Sequence, residues 1–228
     1  LARNVIIATR SLPQSGAGGA LHRGRWFIAA ADTQLISGDA LQARADLNEA
    51  RLLAVQSQSL RLSFEFGFAS ADHYMKAHDL QLAADELKQL EDIAIQTPPA
   101  QRAEYSRMRA RLQLLQGYLT EGLHWAEEAM RLAVPAGLTG PNLRMFEIEL
   151  IYALTANDRV SEALELVSQQ EYEPREVRLA LENCLAFLLH GESHLQALRV
   201  GLQNARQINF VNLLDRARTP LAQICEAA

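Results

Sequence analysis

The sequence predicts an all-α protein, a superhelical stack of about five antiparallel helix pairs, and three observations lead there. Small and apolar residues recur at helical spacing in copies about 40 residues apart, a turn signal precedes every copy, and prolines fall between pairs. The first copy is Ala40, Ala43, Leu47, Ala50 and Ala54. The second is Leu80, Ala83, Leu87, Leu90 and Ala94, and the third is Leu119, Gly122, Ala126, Ala129 and Ala133. A shorter fourth, Val160, Ala163 and Val167, and a weak fifth around Ala197 and Gly201 complete the series. Small residues at the crossing let two antiparallel helices approach closely, and one pair alone cannot bury its apolar face, so the pairs must stack.

Taken in chain order, residues 1–20 read as a short leading helix followed by a Gly-rich flexible connector over residues 11–20, and residues 21–228 as the repeat domain. The first helix of each pair is expected over roughly residues 22–37, 59–77, 100–116, 142–156 and 175–190. Each second helix follows its turn: Gly38-Asp39, His78-Asp79, Gly117-Tyr118, Asn157-Asp158 and Gly191-Glu192-Ser193. Asp39 and Asp79 suit an N-cap, because a short carboxylate accepts the free amide protons of a first turn. Pro98-Pro99, the stretch 135–141 and Pro174 separate the pairs.

One segment carries two periods. Leu60, Leu62, Phe64, Phe66 and Phe68 alternate like a strand, while Leu60, Phe64, Phe68, Ala71 and Met75 lie at helical spacing. Agreement with the surrounding repeat favours helix.

The composition is 49% hydrophobic and 21% charged, with a net charge of -5. It fits a chain able to bury a sizeable core, expected to be soluble and cytoplasmic, without a membrane span or a basic face for nucleic acid. The start at Leu1 is read as the edge of a piece of a larger protein. Cys184 and Cys225 have no metal-ligand spacing and are read as ordinary thiols of a reducing compartment. No phosphate-binding glycine loop occurs, so no nucleotide or other cofactor is expected. His190-Gly-Glu-Ser-His194 is the one metal-like constellation, but Gly191 interrupts the helix that would align its imidazoles, and the turn reading is preferred. Trp26 and Trp125 are expected between helices, and Glu127-Glu128 on a solvated face. No catalytic residue and no metal site is assigned, and the chain is not read as an enzyme.

If first helices line a concave face, groove positions fall at Arg25, Ile28, Asp32 and Leu35 in the first unit, and at Glu65, Phe68, Asp72 and Met75 in the second. The third unit contributes Glu104, Arg107, Arg111 and Leu114, and the fourth Met145, Ile148 and Tyr152. Carboxylates dominate two units and arginines the third. The candidate site is therefore Arg25, Asp32, Glu65, Phe68, Asp72, Arg107, Arg111 and Tyr152, with a polar ligand or partner segment held between Glu65/Asp72 and Arg107/Arg111. The opposite signs either neutralise one another or hold that ligand, and reversing both arginines is expected to leave the melting temperature nearly constant.

The small residues seven apart in second helices, Ala43/Ala50 and Gly122/Ala129, resemble tetratricopeptide repeats, although the period of about 40 exceeds that family's 34. The longer period, together with the stretch from Ala197 through Phe210 and Asp215 to Pro220 and Ile224, is similar to the superhelical domain of MalT-like, LuxR-type bacterial transcription activators. That resemblance implies effector binding, protein-protein interaction or self-association through the groove, with ATPase and DNA-binding modules elsewhere in the full protein. The alternative is a free-standing tetratricopeptide adaptor or co-chaperone that binds a peptide segment.

Overall fold

A computed structural model describes residues 17–169, together with Ala186 and His190. The continuous part is helical throughout: α1 Ala17–Ile36, α2 Ala40–Ser57, α3 Leu60–Lys76, α4 Leu80–Ile95, α5 Pro99–Leu115, α6 Leu119–Ala133, α7 Gly140–Ala156 and α8 Val160–Gln169. No strand occurs among the described residues. The segment with two periods is helix α3, and Ala17 to Ala20 belong to α1 instead of the connector. The expected fifth pair, Cys184, Cys225 and the residues around His190 lie outside the described part, as does the leading helix.

Four of the turns are one structure repeated. Gly38, His78, Gly117 and Asp158 all take positive φ, at 82°, 58°, 83° and 59°. In each, the following amide donates back five residues to a carbonyl, from Asp39 to Gln34, Asp79 to Tyr74, Tyr118 to Gln113 and Arg159 to Leu154, at 2.9 Å every time. This is the Schellman closure, which satisfies the orphan carbonyls of a helix end and reverses the chain after one left-handed residue. The side chains of Asp39 and Asp79 then accept from the amides of Gln42 and Leu82, opening α2 and α4. Pro99 opens α5 at the position where its missing N–H costs nothing.

Packing follows chain order. Each helix packs on the next, and the odd helices also meet one another in sequence: α1 with α3, α3 with α5, α5 with α7. The small residues sit at these contacts, with Ala43, Ala83 and Ala163 fully buried and Gly122 enclosed. A Cβ added at Gly122 would lie 2.6 Å from Leu114 Cγ, and one at Gly67 would lie 2.7 Å from Leu90 Cδ2. Glycine is therefore needed there for close approach, in α3 as well as in α6. Trp125 packs against the clusters on both sides of it, and Trp26 meets Phe27 edge to face.

Candidate binding groove

The odd helices line an open groove of about 500 Å³, within the usual range for small-molecule sites. Arg25, Ile28, Ala29 and Asp32 of α1 line one side, and Phe64, Glu65, Phe68, Ala69 and Asp72 of α3 the middle. Gln101, Glu104 and Arg107 of α5 and Met145 of α7 complete it. Among the described residues, no even-numbered helix contributes.

Equivalent positions of successive pairs meet here. With turns 40, 39 and 41 residues apart, Arg25, Glu65, Glu104 and Met145 occupy one position and Asp32, Asp72, Arg111 and Tyr152 another. Arg25 Nε donates to Glu65 Oε2 at 2.6 Å, 40 residues away, and its Nη2 also donates to Glu65 Oε1. Arg111 Nη1 donates to Asp72 Oδ1 at 2.6 Å, 39 residues away. The same displacement sets the Arg107 guanidinium over the Phe68 ring at 5.7 Å. On its other side the same guanidinium lies over Phe146 of α7, again at 5.7 Å. Side chains at the same height on adjacent, similarly oriented helices are the nearest cross-helix neighbours, and here each position forms a ladder with one pair of opposite charge, Arg25–Glu65 in one and Asp72–Arg111 in the other.

The pairing with Arg25 changes the titration of Glu65. Desolvation opposes the charge on Glu65, but hydrogen bonds from Arg25 and Arg61 outweigh it and hold the carboxyl below its ordinary value. Asp72 is shared between Arg111 and Lys76, whose Nζ lies 2.6 Å from Oδ2. Arg107 is almost wholly buried, 3% exposed, and is paired with Glu104 at 2.9 Å and with Glu149 at 3.8 Å. Asp32 differs. Among the described residues its carboxylate has no hydrogen bond and no ion pair, and desolvation raises its pKa; Lys76 and His73 oppose the shift and Asp72 adds to it.

The expected site residues thus separate into two groups. Arg25, Asp32, Glu65, Phe68, Asp72 and Arg107 line one groove, joined by Ile28, Glu104 and Met145. Arg111 and Tyr152 do not line it. Arg111 is tied to Asp72, and Tyr152 packs against the core between α5, α6, α7 and α8, where burial raises its pKa. Met75 and Leu114, expected in the groove, are core residues, because one face of each first helix must meet its own second helix. Leu35 packs on the α1–α2–α3 core. The burial of Arg107 also removes the expectation that its charge can be reversed without cost to folding. Sequence reasoning missed Phe64, Gln101, Ala29 and Ala69. Phe64 and Gln101 lie about one turn before Phe68 and Glu104 on the same faces, a spacing that would have found them. Ala29 and Ala69 are one repeat apart, and their small side chains leave the space open.

No His, Cys, Asp or Glu cluster among the described residues is arranged to hold a metal ion. No described helix is long and apolar enough to cross a membrane. No family model matches the chain, and no curated protein or solved structure matches it either.

Proposed function

We propose that this chain is a tetratricopeptide-like superhelical binding module, the effector-sensing repeat domain of a MalT-like transcription regulator, and that its ligand sits in the groove between the odd helices. The observation that carries this reading is the lining itself: four successive first helices present equivalent positions to one groove, and among the described residues the second helices contribute none. Groove formation by first helices is what a stack of helix pairs produces. A binding role also agrees with the chemistry of the lining, which contains carboxylates, guanidinium groups, an amide and apolar side chains, and no hydroxyl, thiol or imidazole.

The test is a thermal-shift screen of small metabolites against the whole chain and against Ala29→Phe, in which a ring fills the groove from an exposed position of α1. Ligands that stabilise the parent and lose their effect in Ala29→Phe, while the two apo proteins melt alike, are the expected result. Ligands that stabilise both proteins equally would place binding elsewhere and end this reading.

A further inference from the structure

The charges in the groove are unequally satisfied, and that inequality selects a ligand class. Arg25 is held by Glu65, and Arg107 by Glu104 and Glu149. Each guanidinium thus already has carboxylate partners, with which an anionic ligand must compete. Asp32 instead lines the groove with no ion pair or hydrogen bond among the described residues, facing Asp72 one repeat away. A cationic group completes what is missing there. A second, independent feature points to a ligand: Arg107 lines the same groove at 3% exposure, and its Nη1 donates no hydrogen bond, since Glu149 Oε2 at 3.8 Å is beyond reach. A buried donor without an acceptor is costly, and an acceptor on a ligand relieves it once the guanidinium shifts toward the groove. Ile28, Phe64 and Phe68 line the same groove and suit an apolar body.

We propose that the groove takes a small organic amine, with its ammonium against Asp32, an apolar or aromatic body over Ile28, Phe64 and Phe68, and a polar acceptor directed to Arg107. This deepens the proposed function and rests on it.

The experiment uses L-phenylalaninol, which carries an ammonium, a phenyl ring and a hydroxyl oxygen, and 3-phenyllactate, in which a hydroxyl stands in place of the ammonium and a carboxylate in place of the hydroxymethyl group. Each is titrated at pH 7 into the full chain with amide resonances observed, and again into Asp32→Asn and Ala29→Phe. Asp32→Asn is nearly isosteric at an exposed position, and an unchanged spectrum of the apo variant verifies its fold. The proposal expects saturable phenylalaninol shifts in α1 and α3, weakened at least tenfold in Asp32→Asn and abolished in Ala29→Phe, with 3-phenyllactate much weaker. Equal or tighter binding of 3-phenyllactate would overturn the amine assignment and leave the groove standing as a binding site. Phenylalaninol binding lost in Ala29→Phe but kept in Asp32→Asn would overturn it too. No saturable binding of either probe also overturns it, and the metabolite screen then judges the groove by itself.

Discussion

Arg111 reaches Asp72 with a 2.6 Å hydrogen bond across 39 residues of sequence, and those two residues are the same position of consecutive helix pairs. Their side chains are 14% and 20% exposed, between the regime of surface pairs at about 0.2–1 kcal/mol and that of buried ones, whose disruption costs about 3–5 kcal/mol. A double-mutant cycle on Asp72→Asn and Arg111→Met is expected to give a coupling of about 1–2 kcal/mol, moderated by Lys76, which keeps Asp72 partly paired. A coupling near zero in chemical denaturation would mean that the ladder does not form in solution.

Arg107 presents a harder case. Its guanidinium lies between Phe68 and Phe146 and beside Glu149, which is itself 2% exposed. Arg107→Ala removes the ring contacts and deprives Glu104 and Glu149 of their shared cation, so a loss of about 3–5 kcal/mol is expected. Arg107→Lys should recover part of it, because it keeps the charge without the planar fork. Urea melts of the two variants that coincide with the parent would contradict the buried pairing.

Glycine in a helix normally costs about 1 kcal/mol relative to alanine. At Gly19, where an added Cβ meets nothing within 4 Å, alanine should stabilise by up to about 1 kcal/mol. At Gly122 the same Cβ falls 2.6 Å from Leu114 Cγ and 3.2 Å from the Leu114 backbone nitrogen. The overlap is expected to outweigh the propensity gain and leave Gly122→Ala about 1–3 kcal/mol less stable. Opposite shifts of the two melting midpoints check this; a shared upward shift would refute the close crossing.

His78 takes the left-handed conformation that glycine takes at Gly38 and Gly117. An L-residue there bears a strain of roughly 1 kcal/mol. His78→Gly is therefore expected to stabilise the fold by about that amount, while Gly38→Ala destabilises it comparably. His78 is exposed, so no packing is lost to complicate the comparison. Equilibrium unfolding of both variants decides the matter.

Asp32 gives a pH dependence with a definite sign. Its folded pKa lies above the unfolded value, owing first to desolvation. The native state therefore binds that proton more tightly, and the group's contribution to stability falls as pH rises from the unfolded value through the folded one. Asp32→Asn removes the charge, so the variant should melt above the parent at pH 7 and the gap should narrow as pH approaches about 4. A variant that melts below the parent at pH 7 would show that Asp32 is paired. Glu65 works the other way: its carboxyl is held low by Arg25 and Arg61 despite desolvation, so its contribution is present near neutrality and is lost in acid.

Much of this architecture was legible before any coordinates. The turn residues, the small-residue stripes and the prolines placed the four described first helices and the starts of the four second helices close to where they are observed, except that α1 begins at Ala17 and not near residue 22, because capping, left-handed closure and helical periodicity are local properties of the chain. The same periodicity resolved the alternating stretch at Leu60 to Phe68 in favour of α3. The position of the groove also followed, since Arg25, Asp32, Glu65, Phe68, Asp72 and Arg107 share one helical face at repeat spacing.

Tertiary structure decided which neighbours those residues have. Met75 and Leu114 fall at the margin of the groove-facing stripe, and a rotation of the helix too small to read from periodicity turns them into the core. Arg107 and Arg111 look alike in sequence, yet one is buried between two phenylalanine rings and the other bridges to Asp72. Asp32 and Asp72 are likewise the same residue at the same repeat position, but only Asp72 has an arginine one repeat further along the stack. Whether a charge is paired depends on what the next helix places 39 or 40 residues away, and that contact exists only once the odd helices have packed side by side.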